Sequence, residues 1–204
     1  MKDWVLATGA KLKKSMMDKV ATFTLTKMNI AMMTALVNNV GREKALEEIF
    51  NNSCEMGHEF MLELYSQMPS NIERIGGIAQ AAWIIFAGQA ASETINERVK
   101  IGKYEDVLQV RLRDKACPFC EGVNFDASFC TFPVGAYQGA SQTWIELTGH
   151  NLKSFVRETK CRAKGDPYCE ITLLMAPLEM TVDELKEERP ELFEEIKIGF
   201  VTFE

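Results

Sequence analysis

The chain has 204 residues, a formal net charge of −6 and a pI near 5.2, with 47% apolar and 25% charged residues. That mix suits one soluble domain, or one domain with a helical extension, and supplies a sizeable core. The acidic balance argues against a phosphate-binding surface. The basic cluster at 160–164 is local and opposed by Glu158, Asp166 and Glu170, so nucleic acid is not an expected partner.

The first twenty residues, MKDWVLATGAKLKKSMMDKV, are broken by charges and lack the apolar run of a signal peptide. Residues 1 to about 40 are rich in Met, Lys and Thr, with Ile30, Met33, Leu36 and Val37 at helical spacing. GREKALEEIFNNSCEMGHEFMLELYSQMP predicts an amphipathic helix. Leu46, Ile49, Phe50, Gly57, Phe60, Met61 and Leu64 line one face, and Pro69 marks the stop. The uncharged run at 75–92 holds two glutamines and three glycines among its alanines, and predicts a buried central helix around Trp83 rather than a membrane span. A cytoplasmic protein with no membrane partner is expected. Its six cysteines are then reduced, and read as ligands, redox thiols or core filler rather than as disulfides.

KYEDVLQVRLRD switches to period two, with Leu108, Val110 and Leu112 on one face and Arg111 and Arg113 on the other: a half-buried strand. KACPFCEGVNFDASFC is a turn-rich loop. PVGAYQGASQTWIELTG predicts a helix opened by Pro133 and closed by Gly149, with Gly135 and Gly139 on one face for close backbone approach. LKSFVRETKCRA and YCEITLLMA predict two strands joined by the turn KGDP, and TVDELKEERPELFEEI a final charged helix. The expected class is α+β, a helical N-terminal half packed on an antiparallel sheet with a zinc-holding β-hairpin. The expected division is an N-terminal helical segment at 1–70, with a role in dimerisation, a metal- and ligand-binding core at 71–178, and a C-terminal helix and tail at 179–204.

Cys161 and Cys169 flank a tight turn, near enough for their sulfurs to share one ion. Thiolates suit zinc, and structural zinc takes four ligands in a tetrahedron. Glu158 lies three residues before Cys161 and offers a carboxylate. In a straight strand 158 and 161 face opposite sides, so a bulge near Thr159 and Lys160 is required. Cys130, at the end of the turn-rich loop, is the natural fourth candidate. Cys117 and Cys120 form a Cys-x-x-Cys pair that reads as a redox pair, a second metal site, a donor to the same ion in place of Cys130, or ordinary loop cysteines. Cys54 and His58, four apart on a helix, suit a metal geometrically but have no matching second pair.

CTFPVGAYQG, GHNLKSFVRETKCRAKGDPYCEI and the Glu-x-x-Cys-x7-Cys spacing within them resemble the signature of the 4-vinyl-reductase (4VR) domain family, over roughly residues 107–175. That family includes sensory domains of aromatic-responsive transcription activators and proteins tied to bacteriochlorophyll synthesis. The resemblance implies zinc held by Cys130, Glu158, Cys161 and Cys169. It also implies a pocket between helices and sheet for a small hydrophobic or aromatic molecule, with Trp83, Phe86, Tyr137, Trp144 and His150 as candidate lining residues. Aromatic residues at helical spacing also suit plain core. Met28, Met32, Met33, Met56 and Met61 suggest adaptable packing and a homodimer face.

No P-loop, dinucleotide glycine motif, nucleophile elbow or His-Glu metalloprotease motif occurs. The reading is therefore a stand-alone zinc-binding sensor or carrier domain rather than an enzyme. The alternatives are a hydrolase, an accessory of tetrapyrrole reduction, a thiol redox switch through Cys117 and Cys120, or an interaction scaffold like the vesicle-tethering subunits of related fold.

Overall fold

A computed structural model describes residues 35–36, 38–120 and 130–193. The expectations for residues 1–34, including Met28, Met32 and Met33, lie outside the described residues. The elements in order are α1 (Arg42–Leu64), α2 (Ile75–Ala87), β1 (Glu93–Ile101), β2 (Tyr104–Asp114), α3 (Thr131–Thr148), β3 (Leu152–Lys160), β4 (Cys169–Pro177) and α4 (Val182–Glu188). The strands form one antiparallel sheet in the order β1-β2-β4-β3. The expected α+β class, with helices on an antiparallel sheet, is what the chain adopts.

Alternation along the strands builds two cores. Leu108, Val110 and Leu112 of β2, Val156 of β3, and Ile171, Leu173 and Met175 of β4 face the layer of α1, α2 and α3. On the opposite face Val107, Phe155, Leu174 and Ala176 meet Met180, Leu185 and Leu192 from the C-terminal segment. β4 is buried on both faces, which explains why CEITLLMA reads as a continuous apolar run.

The sequence reading found three strands; the sheet has a fourth, β1. It is an edge strand whose exposure alternates along ETINERVKI, with only Ile95, Val99 and Ile101 as apolar contributors. Its charged positions obscured the period-two pattern, as the charges of edge strands generally do. The C-terminal helix is shorter than expected. Thr181 and Glu184 form a capping box at its start, but it ends at Glu188 because Pro190 cannot continue an α-helix. Pro190 instead opens a single turn at Pro190–Leu192.

α1 and α3 touch backbone to backbone. A Cβ placed on Gly139 would lie 1.8 Å from the carbonyl oxygen of Cys54, and one on Gly57 would lie 2.1 Å from that of Ala136. A Cβ on Gly135 would meet Ser53 Oγ at 2.1 Å. The glycine spacing expected to permit close approach thus forms a seam, with Gly57 as its counterpart on α1. α3 starts two residues before Pro133, with Cys130 as N-cap, and ends as expected at Gly149, whose φ of 70° is the left-handed conformation glycine adopts without strain.

Candidate metal centre and aromatic cluster

The β3–β4 hairpin is organised around Cys161. A short turn at Arg162–Lys164 ends at Gly165, φ 99°. The Cys161 carbonyl accepts from the backbone N–H of Lys164 (3.0 Å) and Asp166 (3.2 Å), and the Cys161 N–H donates to Asp166 Oδ2 at 2.8 Å. The Arg162 N–H points at Cys169 Sγ, 3.3 Å away. Asp166, read in the sequence as a turn residue and a counter-charge to the basic cluster, ties the turn shut. The register of β3 against β4 shifts between Glu158 and Lys160: Glu158 opposes Ile171 while Lys160 opposes Glu170. Thr159 is the extra residue of the required bulge, which turns Glu158 and Cys161 to the same side.

Cys130 caps α3 at this point, and its N–H donates to Glu158 Oε2 at 3.0 Å. Glu158 Oε1 is buried with no hydrogen-bond partner among the described residues. The Cys-x-x-Cys segment folds into a single tight turn at Pro118–Cys120, closed by a bond from the Cys120 N–H to the Cys117 carbonyl at 3.2 Å. This turn delivers both thiols to the same place. Cys120 Sγ lies 3.4 Å from that of Cys169, 3.6 Å from Cys130 and 3.7 Å from Cys161; Cys117 Sγ lies 3.8 Å from Cys130, and Cys130 4.0 Å from Cys169. All five thiols and Glu158 are buried.

Two donor quartets arise within this knot: Cys117, Cys120, Cys130 and Cys169, and the expected Cys130, Glu158, Cys161 and Cys169. In each the ligand atoms lie within 4.8 Å of one another. The sulfur spacings match a tetrahedron around one zinc, whose bonds of about 2.3 Å give edges of about 3.8 Å. They are too short for the corner ligands of an iron–sulfur cluster, which stand on separate irons. The donor set therefore fits a single thiophilic ion. Burial holds the Glu158 carboxyl well above the usual carboxylate range, with the charge of Cys161 adding to the effect. Contacts among the thiols, that with Cys117 first, raise Cys130 and lower Cys169. A cation relieves that arrangement.

Among the described residues, Cys54 and His58 join no group of metal donors. Burial pushes the Cys54 thiol up to about 12, and His58 Nδ1 sits 2.7 Å from Thr143 Oγ1 across the helix seam.

The aromatic candidates divide into two groups. Trp83, Phe86 and Tyr137 belong to a connected ring cluster that also holds Phe60, Phe119 and Phe132. Phe86 lies 5.7 Å from Phe60, 6.5 Å from Phe132 and 6.1 Å from Tyr137 between centroids. Phe119 lies 5.9 Å from Trp83 and 6.4 Å from Phe132. Sequence reasoning placed Phe60 only on the apolar face of its helix and missed Phe119 and Phe132; the position of Phe119 between the two thiols of CPFC was the available signal. Trp144 and His150 stack on each other at 5.4 Å, two turns further along α3, about 10 Å from Tyr137 along the helix axis. The polar tips are met within the chain: Tyr137 donates to the Ala79 carbonyl (2.7 Å), Trp144 to Pro69 (3.1 Å) and His150 Nε2 to Ser70 (2.9 Å).

Trp83 Nε1 donates to the buried Asp114 carboxylate at 3.0 Å, which also accepts from Gln89, Ser92 and the Ala116 N–H. Asp114 pairs across the sheet with Cys169 and precedes Cys117 by three residues, so one carboxylate joins α2, the start of β1 and the CPFC turn.

No described protein family matches the sequence, and no curated protein does. Solved structures do. A trafficking protein particle complex subunit 3 from Naegleria fowleri, solved covalently bound to palmitic acid, superposes with a TM-score of 0.60 at 16% identity, over 79% of this chain and 100% of that one. The phenol-responsive sensory domain of the transcription activator PoxR, solved with phenol, gives 0.55 at 21% identity, over 81% of this chain and 79% of that one. A vinyl-4-reductase family protein from Methanocaldococcus jannaschii gives 0.45 at 16% identity, over 86% of this chain and 94% of that one. Among the described residues no helix is long and apolar enough to cross a membrane. The chain has the fold shared by the trafficking subunit and the phenol-responsive sensory domain.

Proposed function

We propose that the chain is a zinc-stabilised domain that binds a small hydrophobic or aromatic molecule and acts as a sensor or carrier. The observation that carries this reading is the junction at Phe119. Its flanking thiols join the donor knot while its ring joins the aromatic cluster between helices and sheet. The phenol of the sensory domain and the palmitate of the trafficking subunit support an apolar ligand, since both proteins share this fold.

Cys130 and Cys169 would hold the ion, with Glu158 and Cys161, or Cys117 and Cys120, completing the set. The zinc would be structural, because four protein ligands leave no open position for a water. It would cross-link the β3–β4 hairpin, the start of α3 and the CPFC turn. The burial of Cys117 and Cys120 favours this role over an exposed redox pair. Trp83, Phe86 and Tyr137 would form the ligand-facing group, and Trp144 and His150 its distal end. The segment 1–70 would carry a homodimer contact, which light scattering on the full chain tests directly.

The principal experiment is elemental analysis of the purified chain, followed by thermal melts with phenol and with palmitate. We expect one zinc per chain. Either probe at about a hundred times its dissociation constant should add about 2.7 kcal/mol to the unfolding free energy. A folded chain holding less than about half an equivalent of metal would refute the zinc reading. Unchanged melts with both probes would refute the ligand reading.

A further inference from the structure

We propose that the aromatic cluster selects a ring carrying no hydrogen-bonding group, so that the chain takes an aromatic hydrocarbon in preference to a phenol of the same size. This rests on the ligand reading above and names the class of molecule that the site admits.

The cluster has two tiers. Phe60 of α1, Phe86 of α2 and Phe132 of α3 are half-buried and bring one phenylalanine from each helix. Trp83, Phe119 and Tyr137 are buried and touch that tier through Phe86 and Phe132. Phe86 meets Phe132 and Tyr137 edge to face, at interplanar angles of 86° and 72°. A ring arriving from the half-exposed side therefore finds phenylalanine surface, which offers the same edge-to-face packing and no donor or acceptor.

The polar atoms of the buried tier are already engaged. Trp83 Nε1 gives its one proton to Asp114 Oδ2 at 3.0 Å. A carboxylate has room for about four donors, and Asp114 has four. Gln89 joins Trp83 on Oδ2, while Ser92 and the Ala116 N–H fill Oδ1. The Tyr137 hydroxyl lies 2.7 Å from the Ala79 carbonyl, to which it donates. Ala79 is two helical turns from Phe86, so that hydroxyl stands about 10 Å along α2 from the half-exposed tier. Among the described residues, no buried side-chain atom lacking a hydrogen bond belongs to the cluster. The Trp144 and His150 tips are likewise held, by the carbonyls of Pro69 and Ser70. A ligand hydroxyl entering here gives up its water and finds no partner in exchange. Apolar sites of this kind disfavour a hydroxyl against a methyl group by about ten- to a hundredfold.

The test is calorimetric titration of the full, zinc-loaded chain with toluene and with phenol, which differ by that one exchange, in the wild type and in Trp83→Phe. In the wild type toluene should bind about ten to a hundred times more tightly than phenol. Trp83→Phe removes one of the four donors on Asp114 and leaves an oxygen facing the cluster. The ratio should then fall at least about tenfold, because the phenol hydroxyl gains an acceptor. Phenol binding as tightly as toluene in the wild type would overturn the selectivity and leave the ligand reading standing. An unchanged ratio in a folded Trp83→Phe would also overturn it, and the wild-type ratio decides the matter if that variant does not fold. Failure of both rings to bind would overturn the inference. If palmitate also left the melt unchanged, the ligand reading would fall with it.

Discussion

Replacing Gly139 by alanine tests the helix seam directly. The added Cβ would lie 1.8 Å from the Cys54 carbonyl oxygen and 2.7 Å from its carbon. Both atoms are backbone inside α1, so no side chain can swing away. The nearest tolerable carbon–oxygen contact is about 3.0 Å, so the helices must part by at least about 1.2 Å or tilt. Alanine is the better helix former by about 1 kcal/mol, which offsets part of the cost. Overpacking in a close-packed interior costs about 1–3 kcal/mol and more where backbone must move, and parting the helices also loosens Phe50 and Cys54. The expected net loss is about 2–4 kcal/mol, which for a chain of this length lowers the melting temperature by about 5–15 °C. Urea unfolding followed by circular dichroism, in excess zinc, measures it. Gly149→Ala is the comparison, since its Cβ meets nothing within 4 Å and the cost is the left-handed φ alone, about 1 kcal/mol. If Gly139→Ala proved no less stable than Gly149→Ala, the seam would not be the rigid contact described.

Asp114→Asn turns one acceptor oxygen into a donor facing Trp83 and Gln89, or Ser92 and the Ala116 N–H, and should cost about 1–3 kcal/mol. Because Asp114 also holds the CPFC turn through the Ala116 N–H, the variant should lose the proposed zinc to a chelator faster than the wild type; equal loss would separate the two functions. Glu184 accepts from Lys103 and from the Thr181 N–H, which together hold its carboxyl down near about 2. A carboxyl lowered on folding contributes stability above its ordinary value that disappears as pH falls through the folded one. The contribution should therefore fade between about pH 4.5 and 2. Glu184→Gln should abolish that part of the pH dependence, and an NMR titration placing Glu184 at its ordinary value would contradict the assignment. The Cys54 thiol, raised to about 12 by burial, should remain unalkylated by iodoacetamide at neutral pH while the chain is folded. Its neutral form favours the fold up to about pH 9, an advantage lost as pH rises toward 12.

What the sequence disclosed was local. Glu158, Cys161 and Cys169 lie within one hairpin, so ligand chemistry and strand periodicity together demanded the bulge that Thr159 supplies. Gly135 and Gly139 announced a close approach because their spacing is that of one helix face. Cys117 and Cys120 were left open among several readings, donation to the same ion included; that Cys120 meets both Cys161 and Cys169 could not be read, because those contacts join the end of β2 to a hairpin some forty residues later. No periodicity records such a distance. β1 escaped because an edge strand needs few apolar residues, and its charges face solvent or ion partners such as Arg113 and Arg111 on β2. The aromatic cluster was half legible. Phe60, Trp83, Phe86 and Tyr137 stand on predictable helix faces, whereas Phe119 comes from the CPFC turn and Phe132 from the first turn of α3, and the rings meet only in the folded chain.

The glycine seam has a mechanical consequence. Helices separated by a layer of side chains can slide, because rotamers on both sides yield in small steps. α1 and α3 meet backbone to backbone at Gly57 and Gly139, and at Gly135 only the short Ser53 side chain lies between them, so little compliant layer separates the two. The pair is a single stiff bar. One end of that bar is Cys130, fastened to the donor knot, and Tyr137 lies two turns along it within the aromatic cluster. A displacement of α3 at Tyr137 is therefore shared by Cys130 at the head of the helix and by α1 beside it.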